Sequence, residues 1–209
     1  MALFAGVIAL LTEDRQGGRQ RLPDAPPLSE ERVLIRRAVE GDPLAFRRLF
    51  EDHAPPVRRF IGDLLRDDAA ADEAAQETFV RAHARLASLR DDEKLLPWLF
   101  GIARRVCMEE QRARRRQPLA GERSAPEEVD PSLSPEGLLL SGESDRMLSA
   151  ALEGIDEERR TALVLRVDHG LDYGEIAAVM GWPAAKVKNE IHRARLELRA
   201  RLGKYVGGV

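Results

Sequence analysis

Residues 183–204 carry seven Lys or Arg against Glu190 and Glu197, a local charge of +5. Val187, Ile191, Ala194, Leu198 and Leu202 recur there at spacings of three and four, which places them on one stripe of a helix. Lys186, Lys188, Asn189, His192, Arg193 and Arg195 fall off that stripe. Side chains of these types donate to phosphate oxygens and, in a major groove, read base edges. A charged helix facing only water is the plainer alternative; the local charge and a glycine-containing turn just before the helix favour DNA. Glu190 counts the other way, because a carboxylate repels phosphate unless it accepts from a cytosine amino group.

A second basic run spans residues 104–116, where six Arg oppose Glu109 and Glu110 to give +4. Alone it fits a solubilising face equally well. Trp98, at the start of the helix that carries this run, adds an aromatic surface, and single-stranded bases bind by stacking inside a basic groove. Standing four residues before Ile102, Trp98 also fits the core, the commoner use of such spacing. Asp72, Glu73, Gln76 and Glu77 form a different cluster, acidic and helical. Such a face is usually solvated, and without His at ligand spacing it does not suggest a metal.

Nothing in the chain is arranged for catalysis. There is no Ser/His/Asp order or phosphate-cradling glycine loop, and His53, His83, His169 and His192 are scattered over segments of different character. No catalytic residue, metal or cofactor is therefore expected. Cys107, the single cysteine, excludes an internal disulfide and a repeated zinc pattern; it reads as core, in a reducing cytoplasm.

The elements that would position these residues are helical. The 209 residues are 44% hydrophobic and 33% charged with only 5% aromatics, and Ala, Leu, Arg and Glu dominate, which favours helices. An all-α class follows, with two small helical domains joined by a flexible acidic linker, the second containing a helix-turn-helix. Residues 1–28 read as a disordered or partner-binding extension. Their apolar start is too short to span a bilayer and lacks a basic flank, so no stable membrane insertion is expected.

The N-terminal domain is expected over 29–116. Ser29 is a fair N-cap, followed by Val33, Leu34 and Ala38 as an apolar face. Asp42-Pro43 open a second helix carrying Ala45, Phe46, Leu49 and Phe50, which Pro55-Pro56 should interrupt before Val57, Phe60, Ile61, Leu64 and Leu65. After a turn at Asp67-Asp68, a helix over about 70–86 directs Ala75, Phe79, Ala82 and Leu86 inward. A polar loop over 89–96 precedes Pro97 and an amphipathic helix bearing Trp98, Ile102 and Val106.

Residues 117–135 contain four prolines and little apolar periodicity, the composition of a linker, which is placed at 117–143. Eleven acidic residues oppose Arg123 and Arg146 over 117–158, a charge of −9. The C-terminal domain is expected over 144–204, with apolar stripes through Met147, Leu148 and Leu152, then Leu163, Val164 and Val167. Asp172 and Glu175 form a capping box for a helix over 173–180, Gly181 supplies a turn, and Pro183 can open the long basic helix. Two helices with a short glycine turn suit a helix-turn-helix.

Four segments in order resemble the extracytoplasmic-function (ECF) class of bacterial sigma factors: GDPLAFRRLFEDHAPPVRRF, DEAAQETFVRAHARL, PWLFGIARRVCMEEQRARRR and GLDYGEIAAVMGWPAAKVKNEIHRARLELR. The resemblance, covering about residues 31–202, implies a subunit that binds core RNA polymerase and directs promoter-specific initiation. It implies that Asp72, Glu73, Gln76, Glu77 and Phe79 lie on or support a surface gripping the coiled-coil clamp of the polymerase large subunit. Trp98, Arg104, Arg105 and Arg112 would serve minus-10 melting, with the loop over 89–96 capturing a flipped base. Lys186, Lys188, Asn189, His192 and Arg193 would read the minus-35 element. An anti-sigma factor and a cytoplasmic location complete what the resemblance implies.

Two departures leave the class intact and the promoter sequence open. The family often has Gly-Thr-Val-Lys-Ser-Arg where this chain has Ala185-Lys186-Val187-Lys188-Asn189-Glu190, and often Asn where it has Arg105. The competing readings are a stand-alone helix-turn-helix regulator, which would bind duplex DNA tightly without polymerase, and an adaptor, which would have little need for two basic helices.

Overall fold

The computed structural model describes residues 28–90, 94–116, 150–152 and 154–206, among which every regular element is helical. The chain divides into two compact units, one holding the helices before residue 117 and the other those from residue 150 onward. The expected class, all-α with two helical domains, is what the fold shows. The expected extension up to residue 27, the linker over 117–143 and the start of the second domain, with Met147 and Leu148, lie outside the described residues.

The first unit contains α1 (Leu28–Val39), α2 (Pro43–Leu65), α3 (Asp68–Arg85), a single 3-10 turn (Leu86–Ser88) and α4 (Leu95–Arg116). Helix α1 already runs at Leu28, so Ser29 is a helical residue and not the cap. Of its expected inner side, Ala38 is buried and Leu34 half-buried, but Val33 is 48% exposed, and Glu31, not expected there, is buried. Glu31 is drawn inward by His53 of α2, whose Nε2 lies 3.1 Å from Glu31 Oε1. Both side chains are buried at this helix–helix contact, a placement that apolar periodicity does not reveal.

Asp42 caps α2 as expected, accepting from the Leu44 and Ala45 amides at 2.9 and 3.3 Å, with Pro43 in the first turn. Pro55 and Pro56, however, do not interrupt the helix. They lie inside one continuous element whose buried stripe, Ala45, Leu49, His53, Val57, Ile61 and Leu64, passes through them without a change of phase. A proline inside a helix costs about 3 kcal/mol. Leu49, Val57, Phe60, Ile61 and Leu64 each return about 1.5–3 kcal/mol on burial, so tertiary packing outweighs the local break. Arg66 then ends α2 in the left-handed region (φ 52°), and Asp67 caps α3 by accepting from the Ala70 amide.

Helix α3 packs against both α2 and α4. Because it is contacted from two sides, its buried face is broader than one stripe: Ala70, Ala71, Ala74, Thr78, Phe79 and Ala82 are all covered. Ala75, expected inward, is only half-buried. Thr78 is tolerated inside because its hydroxyl donates to the Ala74 carbonyl at 2.7 Å. Helix α4 begins at Leu95, so Pro97 falls in its first turn, where an amide has no partner to lose, and Leu95 and Leu96, expected in the loop, are helical. Phe100 of α4 meets Phe60 of α2 with ring centroids 4.9 Å apart, at the centre of a core that also encloses Ile61 and Cys107.

The second unit contains a helical stretch at residues 150–152, then α5 (Glu157–Val167), α6 (Tyr173–Met180) and α7 (Ala184–Val206). Leu152, Leu163, Val164, Leu165, Ile176, Val187, Ile191 and Leu198 are buried. Val167, at the C-terminus of α5, is only half-buried. The capping box is present in full: Glu175 N donates to Asp172 Oδ1 and Asp172 N to Glu175 Oε2, both at 2.8 Å. Gly181 closes α6 with φ 67°, a conformation that costs glycine nothing. No described helix is long and apolar enough to cross a membrane.

Candidate nucleic-acid interface

Helix α7 presents its basic side chains as the periodicity requires. Val187, Ile191, Ala194, Leu198 and Leu202 are buried, while Lys186, Lys188, Asn189, His192 and Arg193 are exposed. At about 100° per residue, Asn189 and His192 occupy the middle of the outward face, Lys188 one edge, and Lys186 and Arg193 the other. Arg195 is half-buried and does not join them. The Lys186 ammonium lies 4.0 Å from the centroid of the Trp182 ring, a cation–π contact at the first turn of the helix.

Glu190 is not aimed outward. Its side chain is only 14% exposed, and both carboxylate oxygens are taken. Arg159 Nε of α5 donates to Oε2 at 2.7 Å, and Arg193 Nη1 donates to Oε1 at 3.0 Å. Arg159 also donates through Nη1 to Glu197, one further pair of turns along α7. The hydrogen bond to Glu190, reinforced by the charges of Glu197 and Glu190, raises the Arg159 guanidinium above its usual range. Sequence inspection did not find Arg159. The available signal was that Glu190 and Glu197, seven residues apart, share a helix face that a cation could serve.

In the first unit, α4 gathers some of its candidates and separates others. Trp98, Arg105 and Arg112 recur at intervals of seven and share a side, and both arginines are exposed. Arg104 is rotated by about 100° from Arg105 and is half-buried. Trp98 is also half-buried, and its ring lines an apolar cleft with Phe46, Phe50, Phe79, Leu95 and Leu99. Glu109 sits between Arg105 and Arg112 on that side, and Arg81 of α3 pairs with it at 2.8 Å.

The acidic candidates lie on the opposite partner, α3. Asp72, Glu73 and Gln76 are exposed and share its outer face with Val80, which is 64% exposed. Asp72 pairs with Arg58 Nε at 2.5 Å, a contact that holds the Arg58 guanidinium above its usual range. Glu77 is half-buried and accepts from Arg81 Nε at 2.7 Å. Phe79 is buried, edge-on to Phe50 at 4.7 Å, so it can only support this face from beneath.

Comparison with known proteins matches both units to one family. Residues 49–117 match the model of sigma-70 region 2, and residues 145–198 that of sigma-70 region 4. The RNA polymerase sigma-H factor of Pseudomonas aeruginosa is 32% identical over 174 residues, covering 79% of this chain and 90% of that protein. The ECF RNA polymerase sigma-E factor of Escherichia coli strain K12 is 32% identical over 173 residues, with the same coverage. Among solved structures, CnrH in complex with the cytosolic domain of CnrY is similar with a TM-score of 0.64 and 25% identity, over 83% of this chain and 97% of that one. The sigma factor RpoE of Bartonella quintana, solved with the anti-sigma factor NepR, shares the fold with a TM-score of 0.61 at 23% identity, over 76% and 96% of the two chains. Two helical units in this order, each matched by its own region of the family, identify the chain as a member of the ECF sigma factors, the non-enzymatic subunits that direct promoter-specific transcription initiation by RNA polymerase.

Proposed function

We propose that this chain docks on core RNA polymerase through the outer face of α3, centred on Asp72, Glu73, Gln76 and Val80, with Glu77 at its edge and Phe79 beneath it. Trp98, Arg105 and Arg112 of α4, with Arg104 beside them, serve the minus-10 element. Lys186, Lys188, Asn189, His192 and Arg193 of α7 contact the minus-35 element. The observation that carries this reading is the concentration of positive charge on two helices of separate units, in a chain whose net charge is −3. Phosphate neutralisation supplies affinity, and the few groups at base edges supply specificity.

The energetics favour action with polymerase. Extruding a base from a duplex costs a few kcal/mol, which pocket contacts and polymerase docking must return. An anti-sigma partner belongs to the same reading, the kind of protein with which the Bartonella quintana relative was solved. A cytoplasmic location follows from partnership with RNA polymerase. A mobility-shift assay with promoter duplex tests the reading: retardation is expected with core polymerase present, whereas tight specific binding by the chain alone supports a stand-alone regulator.

A further inference from the structure

Helix α7 carries a carboxylate where it can do harm. Glu190 stands four residues after Lys186 and three before Arg193, both spacings that bring side chains together on a helix surface. A mobile Glu190 would compete with DNA phosphates for both cations. It is instead turned toward α5, with Oε2 taken by Arg159 Nε at 2.7 Å and the side chain 14% exposed. Arg159 is itself fixed, because its other arm engages Glu197 and its backbone amide donates to Asp156 Oδ1 at the α5 cap.

We propose that Arg159 is a positioning residue for duplex recognition: by holding Glu190 against α5 it keeps that carboxylate off Lys186 and limits it to a single donor of Arg193, so that both cations can reach phosphate. Lys186 accordingly rests over Trp182 rather than on Glu190. Arg193 spends one donor on Glu190 Oε1, and its guanidinium carries five. Arg193 remains 62% exposed. The proposal rests on α7 reading duplex DNA, and it adds a residue from the supporting helix that never touches the DNA.

The test uses the full chain assembled with core RNA polymerase, a promoter duplex and binding titrations at several salt concentrations. Arg159→Met should weaken binding by about tenfold and make the dependence of log K on log salt shallower by about one, the signature of a lost phosphate contact. Arg159→Met combined with Glu190→Gln should recover both affinity and slope, since the competing charge is gone. A merely structural role predicts an equal loss in the single and double variants, with an unchanged slope, and that result overturns the proposal. Arg159→Gln gives the same comparison where thermal melting shows that Arg159→Met does not fold. Asn189→Ala separates the two levels of inference. If it weakens binding while Arg159→Met is silent, the role of Arg159 alone falls; if both are silent, the assignment of α7 to duplex DNA falls with it.

Discussion

Arg81 of α3 and Glu109 of α4 meet at 2.8 Å, and the same guanidinium donates to Glu77 at 2.7 Å. Glu109 interrupts the basic side of α4, as Glu190 interrupts that of α7. In both units the interrupting carboxylate is held by an arginine from a neighbouring helix. The basic helices thus keep their positive character although each contains acids, because those acids are engaged within the fold.

The Arg81–Glu109 pair predicts a specific acid response. The hydrogen bond from Arg81, chiefly, holds the Glu109 carboxyl below its usual value of 4.5. A depressed folded value means that the pair stabilises the fold above that pH and loses its contribution as the pH falls through the lowered value. Both side chains are partly exposed, so the amount is below about 1 kcal/mol. Thermal melting of Glu109→Gln should show a smaller decline than the parent chain between about pH 5 and 3. Identical declines would show that the pair contributes nothing.

The capping box of α6 should matter beyond its own turn. Asp172→Ala removes one hydrogen bond and leaves the first amides of α6 without a side-chain acceptor, which costs about 1 kcal/mol. Melting should report that loss as a lower transition temperature. A drop in promoter binding should accompany it, since α6 and α7 pack together; a variant as stable as the parent contradicts the role of the box.

Docking on polymerase is best probed at Glu73. Glu77 is bound to Arg81, so reversing its charge would also disturb the tie between α3 and α4. Glu73 is exposed on the outer face, and Glu73→Lys should change the stability read by thermal melting by no more than is usual for surface substitutions, about 0.5 kcal/mol. Co-purification with core polymerase should fall at least tenfold. Unchanged recovery would remove Glu73 from the docking face.

Lys188→Ala together with Arg193→Ala tests α7 from the DNA side. Each lost phosphate contact should reduce the salt slope by about one, and a lost base contact should cost a further 1–3 kcal/mol, roughly. Polymerase association should be intact. Normal promoter binding by this double variant would exclude both residues from the contact surface.

The parts that were legible in the sequence are those specified locally. Asp172, Glu175 and Gly181 define the turn between α6 and α7 within ten residues, and the stripe from Val187 to Leu202 gives the orientation of α7 directly. The continuity of α2 was not legible, because Pro55 and Pro56 are local breakers, and only the packed stripe on either side overrides them. Nor were the pairings of Arg159 with Glu190 or His53 with Glu31, whose partners lie 31 and 22 positions apart in the chain. Trp98 shows the same limit: its spacing favours the core yet leaves a stacking role open, and the cleft it lines with Phe46 and Phe79 cannot be read from the sequence.

Run-off transcription decides the matter for the whole molecule. Purified chain, freed of any inhibitor, is added to sigma-free core RNA polymerase on a pool of bacterial promoter fragments, and the transcript starts are mapped. Discrete starts that depend on the added chain and share two spaced upstream elements are the expected result. A polymerase that initiates no differently with the chain than without it would contradict the function assigned to both basic helices.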